Sequence, residues 1–168
     1  MGAGPMTPAT ALVLTLSDTA AAGNRQDLSG PEAARILAEA GFDVRAVEVL
    51  PDDRAAIEQR LKSACEQGIS LIMTTGGTGL SPRDVTPDAT QAVVDKLIPG
   101  ITELMRFEGF KSTPRAALSR AVAGVRGSTL IINLPGSVKG VRECLGAVRP
   151  ILAHALETLR QSSLGCGE

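Results

Sequence analysis

Residues 74–87 read Thr74-Thr75-Gly76-Gly77-Thr78-Gly79-Leu80-Ser81-Pro82-Arg83-Asp84-Val85-Thr86-Pro87, a glycine-rich turn between an apolar run and a helix start. The apolar run, Ile69-Ser70-Leu71-Ile72-Met73, has the length and branching of a buried strand. After the turn, Thr86 is placed as a helix N-cap, Pro87 at the first helical position, and Asp88 where the helix dipole favours a negative charge. Strand, glycine-rich turn and helix form the unit with which α/β proteins hold phosphates, because glycines let backbone N–H groups approach an anion closely. Thr74, Thr75, Thr78 and Ser81 add hydroxyl donors, Arg83 a bidentate fork, and Asp84 a carboxylate suited to Mg²⁺. An isolated Gly-Gly-Thr-Gly would serve equally well as a tight turn; Arg83, Asp84 and the helix start at the same mouth distinguish this one. It is not a Walker loop, since no Gly-Lys-Ser/Thr follows. Nor is it a dinucleotide fingerprint, because Pro82 stands where a third glycine belongs.

The 168 residues suit one domain with a sizeable core. Hydrophobic residues make up 43% and charged residues 21%, and the net charge of −1 offers no basic face for nucleic acid. Aromatic content is 2%, with no Trp or Tyr, which argues against stacking platforms for single strands. No apolar stretch approaches the ~20 residues of a membrane span. Cys65, Cys144 and Cys166 lack metal spacing, and with a lone His154 they read as free thiols of a cytoplasmic protein. Residues 1–10 read as a flexible leader, 11–161 as a single domain, and 162–168 as a flexible tail.

Strand and helix patterns alternate throughout. Residues 11–16 form a first strand and 19–28 a polar loop, and Ser29-Gly30-Pro31-Glu32 opens a helix that stops at Gly41. Val44, Val47, Val49 and Leu50 mark a second strand. Ile57, Leu61, Ala64 and Cys65 form a helical stripe ending at Gly68. Beyond the glycine-rich turn, helices are expected near 87–97 and 99–109, and an extended segment over 116–125. A turn at 126–128 leads into the β-branched strand 129–133, and the final helical region is restarted by Pro150 after a break. This order predicts a three-layer α/β/α domain, a mainly parallel sheet with helices on both faces.

In such a sheet ligands bind along the edge formed by the strand C-terminal ends. Ser17-Asp18, Asp52-Asp53, residues 74–84 and residues 133–137 would converge there, although Asp53 alone reads as a helix cap.

These segments carry a resemblance. Gly76-Gly77-Thr78-Gly79 with Pro82-Arg83-Asp84-Val85-Thr86-Pro87-Asp88 resembles the signature of the molybdenum-cofactor biosynthesis family, and within it the molybdopterin adenylyltransferases, including the G domains of plant and animal proteins such as gephyrin. Leu16-Ser17-Asp18, Asp27-x-Ser29-Gly30, Pro51-Asp52, Pro99-Gly100, Leu118-Ser119-Arg120, Gly124-Val125-Arg126-Gly127 and Leu130-Ile131-Ile132-Asn133-Leu134-Pro135-Gly136 extend it over roughly residues 11–160. Val138 departs from it, since many members carry a second proline there.

The resemblance implies transfer of AMP from ATP to molybdopterin with release of diphosphate, Mg²⁺ being required. It implies Asp52 and Asp84 as the essential, metal-holding carboxylates. Thr75, Gly76, Gly77, Thr78 and Gly79 are expected to hold a phosphate. Ser17, Asp18, Ser119, Ser128, Asn133, Pro135, Gly136 and Ser137 are the candidates for the pterin and remaining phosphates. Arg120 suits either a phosphate or a subunit contact, and His154 reads as a helix-face residue. The insertase domain fused to some relatives has no counterpart here, so hand-over to a separate insertase is implied. A homotrimer is implied too, with Leu104, Met105, Phe107, Phe110, Ala153, Ala155, Leu156 and Leu159 as apolar surface to bury. Two other readings share the fold: a silent pterin-binding scaffold, trimeric or hexameric, and a relative of nucleotide-hydrolysing enzymes. The presence of both Asp52 and Asp84, within the full signature, favours the transferase.

Overall fold

The computed structural model describes residues 7–164, with side chains described to residue 161. Its elements in chain order are β1 (Thr10–Leu16), α1 (Asp18–Ala21), α2 (Ser29–Glu39), β2 (Asp43–Leu50), α3 (Arg54–Glu66), β3 (Leu71–Thr75) and α4 (Thr86–Val93). They continue with β4 (Lys96–Leu97), α5 (Pro99–Phe110), a 3₁₀ turn (Pro114–Leu118), β5 (Ala123–Arg126), β6 (Thr129–Leu134) and α6 (Val138–Leu164).

The strands build one six-stranded sheet in the order β2-β1-β3-β6-β5-β4. β2, β1, β3 and β6 are mutually parallel, whereas β5 pairs antiparallel with β6 and β4 antiparallel with β5. Side chains alternate across the central strands. Leu12, Leu14, Leu16, Ile72 and Ile131 face α3 and α4, packing on Ile57, Leu61, Ala89 and Val93. Val13, Leu71, Met73, Leu130 and Ile132 face the opposite way, onto Leu37, Ile101, Met105, Leu145 and Leu152 from α2, α5 and α6. Both layers are almost fully buried, and each such buried Leu or Ile contributes about 1.5–3 kcal/mol. The three-layer expectation therefore holds.

Local expectations differ in five places. The helix expected over 87–97 stops at Val93, because Val94 turns extended (φ −75°, ψ 146°) and residues 96–97 pair with β5 as an edge strand. Thr86 is not the N-cap but lies inside α4; its Oγ1 donates to the Gly76 carbonyl (3.1 Å) and its N–H to the Gly77 carbonyl (3.3 Å), so it tethers the turn instead. The segment 116–125 is extended only from Ala123, its start being the 3₁₀ turn, and the polar loop 19–28 begins inside α1. Pro150 interrupts nothing: α6 is continuous around it. Leu145, Val148, Leu152 and Leu156 pin both halves to one core cluster, which outweighs the roughly 3 kcal/mol of an interior proline. Beside the expected domain limits of 11 and 161, Thr10 already pairs in β1 and α6 reaches Leu164. The remainder of the expected leader and tail, residues 1–6 and 165–168, lies outside the described residues.

Candidate functional site

Four parallel strands deliver their C-terminal ends to one edge, and the glycine-rich turn is seated among them. Gly76 and Gly77 adopt φ of +88° and +66°, the left-handed region that favours glycine. A Cβ on Gly76 would lie 2.4 Å from the Leu16 carbonyl oxygen, and one on Gly77 2.3 Å from Thr86 Oγ1. A Cβ on Gly136 would stand 3.2 Å from the Gly76 Cα, so the turns after β3 and β6 meet backbone to backbone. The Gly76 N–H donates to the Leu134 carbonyl at 3.1 Å and locks this contact.

Two cavities flank the contact. The larger, about 510 Å³, lies between the turn, α5 and the start of α6; Thr78, Gly79, Ser119, Pro135 and Ser137 line it. The second, about 470 Å³, opens toward α2 and is lined by Ser17, Thr75, Gly76, Gly136 and Ser137. Ser137 faces both, and its Oγ caps α6 by accepting the Gly140 N–H at 3.0 Å. Thr75 is fully buried; its Oγ1 shares hydrogen bonds with Ser29 Oγ (2.8 Å) and Thr15 Oγ1 (3.3 Å). Asp27 completes that network, accepting from Thr15 Oγ1 (2.6 Å), Ser29 Oγ (3.2 Å) and the Gly30 N–H (3.0 Å).

A carboxylate cluster lies against the same turn. Asp18 and Asp52 cap each other reciprocally: the Asp18 N–H donates to Asp52 Oδ2 and the Asp52 N–H to Asp18 Oδ1, both at 3.0 Å. Arg83 reaches back from the turn and donates twice to Asp18 Oδ2, from Nε (2.9 Å) and Nη2 (2.6 Å). Asp84 Oδ2 accepts the Ser81 N–H at 2.9 Å. Hydrogen bonds from Arg83 hold the Asp18 carboxyl below its ordinary value. Burial pushes the Asp52 carboxyl upward, and the charges of Asp18 and Asp84 add to that push. Asp52 Oδ1 is buried without a hydrogen-bond partner, 3.1 Å from where a Gly77 Cβ would stand.

An orphaned carboxylate oxygen beside two more carboxylates is a demand for a cation. Among the described residues no group of three or more His, Cys, Asp or Glu is gathered to hold a metal unaided. Mg²⁺ needs no such cage, since it takes one or two carboxylates and completes its octahedron with phosphate oxygens and water. Asp52 and Asp84 fit that requirement, with Asp18 neutralised by Arg83.

The edge thus gathers Ser17, Asp18, Asp52, Thr75, Gly76, Gly77, Thr78, Gly79, Asp84, Ser119, Pro135, Gly136 and Ser137. Ser128 and Asn133, also expected there, line neither cavity. Ser128 is exposed in the hairpin turn before β6, beside the Arg126–Thr129 pair, and so at the opposite edge of the sheet. Asn133 is fully buried and fully employed: Nδ2 donates to Thr74 Oγ1 (3.0 Å) and Thr90 Oγ1 (2.9 Å), while Oδ1 accepts the Val122 N–H (3.0 Å). It is a cross-link between β3, β6 and α4. Asn133→Leu should therefore lower stability by at least about 2 kcal/mol in urea unfolding, because a buried N–H and two hydroxyls lose their partner. An unchanged midpoint would return Asn133 to the ligand-binding set.

Arg120, open in the sequence to a phosphate or a subunit contact, binds within the chain. Its Nε donates to the Gly79 carbonyl (3.0 Å), its Nη2 to the Asp84 carbonyl (2.6 Å), and it pairs with Asp88 (3.1 Å). The sequence reading missed Arg106, Arg115 and Lys139 at the larger cavity and Arg25 at the smaller. They come from α5, the 3₁₀ turn, α6 and the loop before α2, and no spacing along the chain links them.

A family model described as "Probable molybdopterin binding domain" matches residues 12–154. A Helicobacter pylori (strain 26695) protein named molybdopterin adenylyltransferase is 43% identical over 150 residues, covering 88% of this chain and 85% of that protein. A Haemophilus influenzae protein of the same name is 45% identical over 140 residues, covering 82% and 71%. The crystal structure of the molybdopterin biosynthesis enzyme MoaB from Thermus thermophilus superposes with a TM-score of 0.85 at 50% identity, covering 90% of this chain and 96% of that one.

Proposed function

This chain belongs to the molybdopterin-binding family of molybdenum-cofactor biosynthesis, and from that premise we propose that it is a molybdopterin adenylyltransferase. The observation that carries the reading is the pair of cavities divided by the Gly76–Gly136 contact, with the Asp52–Asp84 carboxylates against the same turn. Two substrates and one metal can meet at such a junction.

The larger cavity, walled by Met105, Ala116 and Leu118 and edged by Arg106, Arg115 and Lys139, suits a flat pterin with an anionic phosphate. The smaller, hydroxyl-rich cavity beside Ser17 and Ser29 suits the nucleotide. The terminal phosphate of molybdopterin is largely dianionic at neutral pH, its second pKa being about 6. One of its oxygens bonds to the α-phosphorus of ATP as the bond from that phosphorus to the β-phosphate oxygen breaks, and diphosphate leaves. No proton has to be removed, which fits a site without histidine: the single His154 is exposed on α6. Bound Mg²⁺ would neutralise the meeting phosphates and polarise the α-phosphoryl group. Asp52 and Asp84 would hold it, the Gly76–Gly79 backbone would orient the phosphates, and the cavity walls would exclude water.

The test is incubation of the purified protein with molybdopterin, Mg²⁺ and labelled ATP. Adenylylated molybdopterin and diphosphate should form in equal amounts, and neither without Mg²⁺. Pterin binding without product would identify a silent scaffold instead; ATP hydrolysis without transfer would identify a nucleotide-hydrolysing relative.

We place the reaction in the cytoplasm, with the product handed to a separate insertase. No helix among the described residues is long and apolar enough to cross a membrane, and Cys65 and Cys144 are free thiols. We also infer a homotrimer. Met105 and Leu156 belong to the monomer's own core, but Phe107 (68% exposed), Phe110 (59%) and Leu118 (56%) leave an apolar surface near the larger cavity. A threefold interface would bury it. Light scattering should give three times the 17.3 kDa of one chain; a mass near 17.3 kDa would refute the trimer.

A further inference from the structure

Residues 78–84 join β3 to α4 without regular structure, yet they carry Asp84. Within this segment the hydrogen bonds are local: the Ser81 N–H to Asp84 Oδ2, the Asp84 N–H to the Ser81 carbonyl, and the Arg83 N–H to Ser81 Oγ. They shape the turn but fix it to nothing else. Among the described residues, the side chain that it sends by hydrogen bond to another element is Arg83, which ends on the half-buried Asp18, while Thr78 is buried. Leu80 is 66% exposed and adds little packing.

Beyond the Arg83–Asp18 pair, the hydrogen bonds that hold the segment to the body of the protein come from Arg120. Its N–H donates to the Thr78 carbonyl (2.9 Å), its Nε to that of Gly79 (3.0 Å) and its Nη2 to that of Asp84 (2.6 Å). One residue thereby grips both ends of the turn. Arg120 is itself braced: Arg106 on α5 donates from Nη1 to the Ser119 carbonyl (3.1 Å) and from Nη2 to Thr102 Oγ1 (3.1 Å). The Asp88 carboxylate, on the first turn of α4, orients the guanidinium from the other side.

We propose that Arg120 is a positioning residue for adenylyl transfer: it sets the Asp84 carboxylate against Asp52 without touching either substrate. The proposal rests on the functional reading above. Only a planar fork with several fixed donors reaches two carbonyls and a carboxylate at once; a lysine ammonium, a compact charge on a flexible stem, cannot hold the same three in that geometry. A loosened segment leaves the smaller cavity, which takes no residue from it, intact and the larger, which takes only Thr78, Gly79 and Leu80, mostly in place, but makes the metal–phosphate geometry loose. The expected signature is a loss in turnover and metal requirement, not in substrate affinity.

The test is Arg120→Lys, read in two ways. In the transfer assay, kcat should fall about 10²-fold, the scale of an ångström-sized misplacement, while KM for ATP and molybdopterin stays near wild type and the Mg²⁺ concentration for half-maximal rate rises. In hydrogen exchange on the unliganded protein, the Ser81 and Asp84 amides should exchange faster while β3 and β6 amides keep wild-type protection. Wild-type turnover, or unchanged exchange at Ser81 and Asp84, overturns the proposal. So does accelerated exchange along β3 and β6, which would mean that Arg120 merely stabilises the fold. If the wild-type protein transfers no adenylyl group, the functional reading falls, and Arg120 stands as the anchor of the segment only if the exchange result holds.

Discussion

Asp84→Asn lowers the rate of adenylyl transfer by at least about 10²-fold while the protein folds and binds molybdopterin as before. The amide keeps the shape of the carboxylate, and its oxygen still accepts the Ser81 N–H, so the turn survives. What disappears is the negative charge that, with Asp52, would hold Mg²⁺ between two polyanions. Because that charge acts on the transition state, kcat and kcat/KM should fall together, with little change in molybdopterin affinity. Near-normal turnover by a folded variant would remove Asp84 from the mechanism.

Asp52→Asn should be equally inactive and, at neutral pH, at least as stable as wild type. Asp52 is a carboxyl raised above its ordinary value, chiefly by burial and then by the charges of Asp18 and Asp84, and its Oδ1 has no partner. A carboxyl raised on folding binds more protons in the native than in the unfolded state. Asp52's own contribution to wild-type stability therefore falls as pH rises from the ordinary carboxylate range through the raised Asp52 value. The asparagine variant lacks that fall and retains an oxygen for the Asp18 N–H. Thermal melts of the two proteins from acid to neutral pH should show the difference shifting in the variant's favour. A variant that loses ground as pH rises would mean that Asp52 is not strained in the resting protein, and the cation-demanding site would lose its main support.

The glycine-rich stretch was legible because each signal there is local: an apolar strand, glycines at the two left-handed positions Gly76 and Gly77, and a proline one residue into the helix. The parallel core followed from the same alternation. The failures share a cause, namely dependence on partners distant in sequence. Asn133 lies in the segment expected to bind ligand, but its amide is consumed by Thr74, Thr90 and Val122, partners set only by strand pairing. Ser128 was grouped with the site although the β5–β6 hairpin reverses the chain and leaves it at the far edge. The sequence left Arg120 open between a phosphate and a subunit contact, and its bonds to the Gly79 and Asp84 carbonyls depend on folded positions that no local signal carries. β4 is two residues long, too short for any period to register.

The seam where Gly76 touches Gly136 has an evolutionary consequence. It divides the two cavities at a main-chain contact flanked by Ser137, which faces both, and neither glycine leaves room for a Cβ without displacing backbone or crowding it. Lining residues such as Ala116 and Leu118 on one side, or Ala20 and Gln26 on the other, can drift without crossing the divide. Descendants of this chain could thus retune what they accept in one compartment while inheriting the other unchanged, with the glycine contact between them frozen because a Cβ there has no room.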